Sequence, residues 1–411
     1  MSDSPSSFRM AASSTTPAAG ADVRLSARAS GFLRRGQPWF FADDLLAGSA
    51  LPPRLVRVRD EEGRDLGLGV TGAGKLALRS CGPWPGEGVP EREAFFRARL
   101  AAAIEARASQ LGPEDGVRLV HGEGDRLPGL VVDRYGPVLV LQATSAFVEA
   151  SLDAIVPFLV ERTGATSVVA RNDVAVRKHE GLAEEVRLLH GVRPVDPVVC
   201  EGGVRHVVRP FEGHKTGFYL DQRPARTLVA SLAKGRKVLD LFAYQGGFSL
   251  AALAGGAVSA LAVDQSEPAL ETASAGATSN RLTGFSTHCG DVFDFLRAQR
   301  ERHERYDLIV LDPPAFAKSR REVEGAERGY RDLNRQALRL LAPHGFLVTC
   351  TCSHHITPPR FEEVVRQAAA GLPFQVLLRQ RLGAGPDHPV PITHPESEYL
   401  KVLLLQRQDN A

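Results

Sequence analysis

Cysteine is scarce in this chain of 411 residues. There are five (Cys81, Cys200, Cys289, Cys350 and Cys352), an odd number with no signal-peptide pattern ahead of them. That excludes the disulfide framework of a small secreted domain and points to reduced thiols in the cytoplasm. Long apolar runs are missing too: nothing approaches the roughly 18 residues that cross a bilayer, so no membrane partner is expected. Residues 1–22, rich in Ser, Ala, Thr and Pro, lack the apolar segment of a signal peptide and read as a disordered tail. Charge of one sign is also lacking. The formal net charge is +2, which announces no nucleic-acid partner, and only seven of the 50 basic residues are Lys. Locally the balance differs: Val23–Arg59 carries seven Arg against two Asp, either an RNA-facing surface or a solvated face.

Hydrophobic and charged fractions of 43% and 24% are those of an ordinary globular protein. A chain this long splits into two or three domains. Residues 23–88 read as a small β unit, a barrel, with a hairpin between Leu55–Arg59 and Asp65–Thr71 and a third strand at Lys75–Ser80. Pattern alone leaves a structural appendage as its alternative role. Cys81–Gly86, with two prolines and two glycines, marks a boundary. Residues 90–205 read as α+β: helices at Glu91–Leu111 and Phe147–Glu161, and strands at Val117–Val120, Leu130–Asp133, Val138–Gln142 and Ser167–Ala170. His121, Asp125 and His179 read there as structural or surface groups. Residues 206–411 alternate strands and helices as a doubly wound parallel sheet does. Its strands are predicted at Val238–Leu241, Ala260–Val263, Phe285–His288, Leu308–Leu311 and Gly345–Thr349, with helices at Phe248–Ala254, Pro268–Arg281, Val292–Glu301 and Gly329–Leu341.

Such sheets bind ligands beyond the carboxyl ends of their strands, and the polar clusters fall there. The first is Asp240 to Gly247, where Phe242-Ala243-Tyr244-Gln245-Gly246-Gly247 turns a strand into a helix. Glycines at such a turn let backbone N–H groups approach a ligand. G-x-G-x-x-G and G-x-x-x-x-G-K-[ST] are both absent from this turn, so NAD and ATP lose ground to a nucleoside without a pyrophosphate, S-adenosylmethionine. About twenty residues on, Asp264 stands where an acid takes ribose hydroxyls; capping the next helix is its alternative role. After the third strand, Asp291 suits the adenine amino group, with the Val292 N–H and the Phe293 ring beside it. A plain N-cap is the rival reading. The fourth cluster is Asp312-Pro313-Pro314-Ala315-Phe316. Its prolines stiffen the chain and remove N–H donors, Asp312 faces the cleft, and Phe316 offers a ring for a base.

A fifth cluster, Thr349–His355, ends another strand and contains Cys350 and Cys352. Carbon 5 of cytosine is a poor nucleophile until a thiolate adds to carbon 6, and a base must later remove the carbon 5 proton. A strand-end cysteine beside the cofactor meets that need, provided nearby positive groups lower its pKa. Cys350, on the strand itself, reads as a small buried hydrophobe. A metal site is disfavoured, because four ligands packed into six consecutive residues cannot easily surround zinc tetrahedrally.

On these residues the chain resembles the class I S-adenosylmethionine-dependent RNA methyltransferases, and more narrowly the large-subunit ribosomal RNA cytosine-5 enzymes with an N-terminal PUA domain. The resemblance runs from about Val23 to Gln406. It rests on GHKTGFYLDQR (Gly213–Arg223), LDLFAYQGGFS (Leu239–Ser249), LDPPAF (Leu311–Phe316), TCS (Thr351–Ser353), PDHPV (Pro386–Val390) and Tyr399-Leu400-Lys401. It implies an RNA-binding PUA barrel, a central α+β domain adding to the RNA surface, and a Rossmann-like catalytic domain. It also implies that Arg223 or Lys215 pairs the cofactor's carboxylate, that Tyr219 packs nearby, and that Cys352 is the nucleophile. A related branch that methylates guanine N7 shares D-P-P-x-F without using the cysteine. Many cytosine-5 enzymes carry a second cysteine where this chain has Pro314, so proton removal falls to Asp312 or water. The expected partner is ribosomal RNA, with a homodimer left open. The alternatives are a methyltransferase for a base nitrogen (guanine N7 or adenine N6) and a non-catalytic RNA-binding assembly factor.

Overall fold

The computed structural model describes residues 22–409 apart from 48–50, 87, 111, 113, 114 and 318. The predicted tail thus lies outside the described residues except for Asp22, which opens a strand. Residues up to Glu91 and residues from Arg92 form two compact units.

In the first unit the strands Asp22–Leu25, Trp39–Phe41, Leu45–Ala47, Leu55–Arg59, Asp65–Thr71 and Leu76–Gly82 make one six-stranded sheet. Its two edge strands, Trp39–Phe41 and Leu45–Ala47, are consecutive in the chain and joined only by the turn Ala42–Asp44. So short a link requires the sheet to curl until its edges approach, which is the barrel form. Val23, Leu25, Phe40, Val56, Val58 and Leu78 fill the interior. The expected hairpin forms with both strands in their predicted bounds. Buried Asp60 holds its turn, accepting from the N–H groups of Glu62 and Arg64. The helix Ala27–Arg34, capped by Ser26, was not expected; only Ala29 and Ser30 of it are buried, too few to show a period.

The second unit holds two large sheets. One has five strands in the order Val186–Gly191, Ser167–Arg171, Val138–Ala143, Leu130–Tyr135, Gly116–His121. The predicted helix Phe147–Glu161 is in fact two, Ala146–Glu149 and Leu152–Thr163, parted where the Ser151 hydroxyl turns back to donate to the Phe147 carbonyl. The predicted helix Glu91–Leu111 is Arg92–Glu105, with Phe96, Leu100 and Ile104 buried in the core; Leu111 lies outside the described residues.

The other sheet has seven strands: β1 Lys237–Leu241, β2 Ser259–Asp264, β3 Phe285–Cys289, β4 Tyr306–Leu311, β5 Leu341–Thr351, β6 Gln375–Leu382 and β7 Lys401–Gln408, in the order β3-β2-β1-β4-β5-β7-β6. The first five pair in parallel; β7 runs antiparallel between β5 and β6. Helices cover both faces, so β1 and β4 are largely apolar, and Val238, Leu239, Leu241, Leu308, Ile309, Val310 and Leu311 are wholly buried. Strand order reverses between β1 and β4, where Leu241 pairs with Leu311. The crevice beyond the carboxyl ends at such a point is the natural ligand site of this architecture.

Candidate active site

A cleft of about 420 Å3 opens at that reversal. Of the predicted residues it is lined by Lys215, Tyr219, Phe242, Gly247, Asp264, Asp291, Phe293, Asp312, Pro313, Pro314, Phe316 and Cys352, which come from six segments of the sequence.

The turn after β1 is strained. Phe242 and Tyr244 both adopt left-handed backbone, at φ 61° and 48°, an unusual conformation for aromatic residues. It is held by Asp264, whose Oδ2 accepts from the Tyr244 N–H at 2.8 Å and whose Oδ1 accepts from the Ser266 N–H at 2.9 Å. Asp264 thus ties β2 to the β1 turn as well as lining the cleft. Gly246 opens the helix Gly247–Ala254 at φ +70°, and a Cβ there would sit 2.9 Å from that of Ala273. Packing against the helix Glu267–Ser279 demands this glycine, so the ligand-approach argument applies to Gly247, which lines the cleft, and not to Gly246.

Asp240 lies beneath the cleft rather than in it, wholly buried, its Oδ2 accepting from the Ser249 N–H and hydroxyl. Burial pushes its carboxyl up to about 7, against the Ser249 hydrogen bonds and with help from Asp312 and Asp264. Asp291 caps the helix Val292–Glu301 through the Asp294 N–H, the rival reading, and it also lines the cleft. The Val292 side chain is buried in the core beneath.

Arg223 is the main displacement. Its guanidinium donates to the Gly116 carbonyl and lies 3.5 Å from Glu201, so the structure turns it toward the central sheet. Lys215 stays at the cleft, its ammonium 2.7 Å from buried Asp221, which also accepts from the Tyr399 hydroxyl at 2.7 Å. Burial opposes the charge on Asp221, yet Lys215 and then His388 outweigh it and hold that carboxyl below the usual range. Thr216 anchors the segment, its hydroxyl donating to Asp133 and meeting the Tyr135 hydroxyl at 2.8 Å.

At the β4 end, Asp312 accepts from Gln222 Nε2 at 2.8 Å. Burial, followed by the charge of Asp221, pushes the Asp312 carboxyl up to about 7. Cys352 departs from expectation: its thiol is raised, not lowered, first by burial and then by the neighbouring Asp312, while Lys215 and Lys401 pull the other way. Buried Lys401 donates to the Ser353 and Tyr399 carbonyls at 2.8 and 2.7 Å, and burial lowers it to about 8. Cys350 is wholly buried, the hydrophobe expected.

Residues that sequence reasoning did not single out complete the wall. The His214 and Tyr244 rings stack at 4.2 Å, and Asp221 and Gln222 form part of the floor. Asp221 and Gln222 stood inside the GHKTGFYLDQR motif, in the turn Leu220–Gln222, whose three residues are all buried; the motif itself was the one signal that could have found them. Outside the cleft, Arg107 pairs with Asp125, His121 packs against His388, and His179 is exposed. No cluster of three or more His, Cys, Asp or Glu suited to a metal ion occurs among the described residues. No helix among them is long and apolar enough to cross a membrane.

Aromatic walls, three carboxylates and a buried, unpartnered acceptor oxygen on Asp221, with another on Asp240 below, suit a ligand rich in donors and carrying positive charge. S-adenosylmethionine, with ribose hydroxyls, an adenine amine, an ammonium and a sulfonium, is such a ligand. The family model for S-adenosylmethionine-dependent methyltransferases matches residues 118–405, and a PUA-like domain model matches residues 23–79. The chain belongs to the S-adenosylmethionine-dependent methyltransferases, and S-adenosylmethionine is its cofactor. Among its relatives, the ribosomal RNA large subunit methyltransferase I of Aeromonas hydrophila is 39% identical over 386 residues, covering 91% of this chain and 96% of that protein. The protein of the same name from Tolumonas auensis is 39% identical over 383 residues, with the same coverage. In fold the chain is similar to a methyltransferase solved with SAH bound (TM-score 0.81, 23% identity, 94% of this chain and 99% of that one). A SAM-dependent methyltransferase from Streptococcus mutans gives a TM-score of 0.80 at 23% identity, with the same coverage.

Proposed function

We propose that this protein methylates carbon 5 of a cytosine in large-subunit ribosomal RNA, through a transient bond between Cys352 and carbon 6. The observation that carries the reading is the meeting of Cys352, Asp312 and Phe316 at one cleft with Asp264 and Asp291. The ribosomal RNA named in its relatives' titles supplies the substrate class. Residues 23–88 act as the RNA-binding module, residues 90–205 add to the RNA surface, and residues 206–411 carry the chemistry.

Asp264 takes the ribose hydroxyls, and Asp291, the Val292 N–H and Phe293 take the adenine. Asp240, Phe242, Gly246 and Gly247 shape the turn, while Lys215 and Tyr219 close over the methionine end; Arg223 is engaged elsewhere. When bound, the cofactor supplies an electrophilic methyl group on a sulfonium sulfur. The target base, flipped from its stack, rests against Phe316 between Pro313 and Pro314. Cys352 adds to carbon 6 as its thiolate, a form favoured by Lys215 and Lys401. Carbon 5 becomes nucleophilic and takes the methyl group. Asp312 then accepts the carbon 5 proton, and the bond between sulfur and carbon 6 breaks with its electrons returning to sulfur. A carboxyl held near 7 suits that base, because it is neither too weak to accept the proton nor saturated at neutral pH.

The raised thiol is the observation that favours methylation of a base nitrogen with Cys352 a bystander. Cys352→Ala separates the two. Expected is loss of methylation with S-adenosylmethionine binding intact by calorimetry; full activity in this variant removes the covalent route.

A further inference from the structure

Tyr330 is wholly buried in the helix Val323–Arg339, outside the cleft, and its hydroxyl lies where two cleft loops meet. The Thr351 hydroxyl donates to it at 2.8 Å, and the Ser353 hydroxyl lies 3.0 Å away. These residues flank Cys352 on either side. From the other loop, the Phe316 N–H approaches the same oxygen at 3.5 Å, and the Tyr330 hydroxyl reaches the Pro314 carbonyl at 3.4 Å. A second link runs in parallel, from the Ala317 N–H to the Ser353 hydroxyl at 3.4 Å. The Tyr330 ring also packs against Phe316, with centroids 4.8 Å apart. Lys401 fixes the opposite side of the nucleophile loop through the Ser353 carbonyl.

The geometry points to Tyr330 as a positioning residue that sets the distance between the Phe316 ring and the Cys352 sulfur. This rests on the cytosine-5 reading. An aromatic surface holds the base, and a thiolate must approach one carbon of that base along one direction. Misplacement of about 1 Å costs such a step roughly a hundredfold. Backbone loops of four or five residues do not hold so fine a distance unaided. A single buried hydroxyl shared by both loops does, because neither loop can shift without lengthening a hydrogen bond in an environment that offers no water in exchange. Thr351 and Ser353 act through the same oxygen, so the three hydroxyls form one device.

The test compares Tyr330→Phe, Ser353→Ala and the double variant in single turnover on large-subunit ribosomal RNA. Rates are normalised to S-adenosylmethionine-binding sites counted by calorimetry, so an unfolded fraction drops out. Each single variant is expected to slow methyl transfer about 10- to 100-fold per site, with cofactor affinity within about twofold of the parent. Both substitutions break the contact between the Tyr330 and Ser353 hydroxyls, while Ser353→Ala also breaks the Ala317 link, so the double variant should lose less than the product of the two single losses. A merely structural role lowers the number of binding sites and leaves the rate per site unchanged, which overturns the proposal. So does a double variant whose losses multiply. Cys352→Ala, run alongside, reports on the other question: activity there sinks the cytosine-5 reading, whereas an inactive Cys352→Ala with an undiminished Tyr330→Phe sinks the positioning role alone.

Discussion

Asp312 offers a sharp test of the chemistry, because its environment sets a pH at which activity should change. Burial and the adjacent Asp221 hold its carboxyl up to about 7, where an ordinary aspartate ionises near 3.9. As the base for the carbon 5 proton it works only when ionised. At pH 6 roughly one molecule in eleven carries that form and at pH 8 about ten in eleven, so the single-turnover rate should rise about tenfold between them. Asp312→Asn removes the base while keeping a side chain that Gln222 can still meet, so a loss of about 10²–10⁴-fold is expected together with loss of the inflection near pH 7. The same variant makes a second, opposite prediction. Burial is the first cause of the raised Cys352 thiol and the Asp312 charge is the next, so removing that charge should speed iodoacetamide alkylation of Cys352 at pH 7.5. A wild-type profile flat from pH 6 to 8, or an inflection that persists in Asp312→Asn, refutes the assignment.

Lys215→Met leaves the Asp221 carboxylate buried with the Tyr399 hydroxyl and the nearby His388, and should lower stability at pH 7 by about 1–3 kcal/mol, since Lys215 keeps some contact with solvent. The sign with pH is fixed. A lowered carboxyl contributes stability that is fully present above pH ~4 and lost progressively as pH falls from there through its lowered folded-state value, so urea midpoints of parent and variant should begin to converge below pH ~4 and go on converging as pH falls further. A constant gap contradicts the pairing. Gly246→Ala must adopt φ +70° with a Cβ 2.9 Å from that of Ala273, and should cost about 2–4 kcal/mol, read as a lower denaturant midpoint. An unchanged midpoint contradicts the packing role.

The parallel strands were legible because burial on both faces writes β1, β2 and β4 as mainly apolar runs, broken inside only by Asp240 in β1 and Asp307 near the start of β4. β6 was not: Gln375–Leu382 is largely exposed at the sheet edge and carries Arg and Gln between its leucines, so its pattern resembles a surface loop. β7 reads as an apolar run but follows a long irregular stretch, and its antiparallel direction is set by partners that no local pattern reveals. The helix Val323–Arg339 was placed six residues late because its first turns, with Glu324, Gly325, Glu327 and Arg328, look solvated. At the site, strand-end position located Asp264, Asp291, Asp312 and Cys352 from spacing alone. It said nothing of which arginine turns inward, because Arg223 is drawn off by the Gly116 carbonyl and Glu201 across the unit. Nor could it give the direction of the Cys352 shift, which depends on burial and on a carboxylate some forty residues away in sequence. Tyr330 was invisible for the same reason: in sequence it is one more apolar position on a helix face.

The chemistry proposed for Cys352 and Asp312 makes carbon 5 of cytosine the methyl acceptor. Large-subunit ribosomal RNA methylated by the purified protein, digested to nucleosides and resolved by mass spectrometry, tests that directly. 5-Methylcytidine is expected as the new nucleoside, absent from the Cys352→Ala reaction. N7-methylguanosine or N6-methyladenosine in its place, formed equally well by Cys352→Ala, contradicts that chemistry.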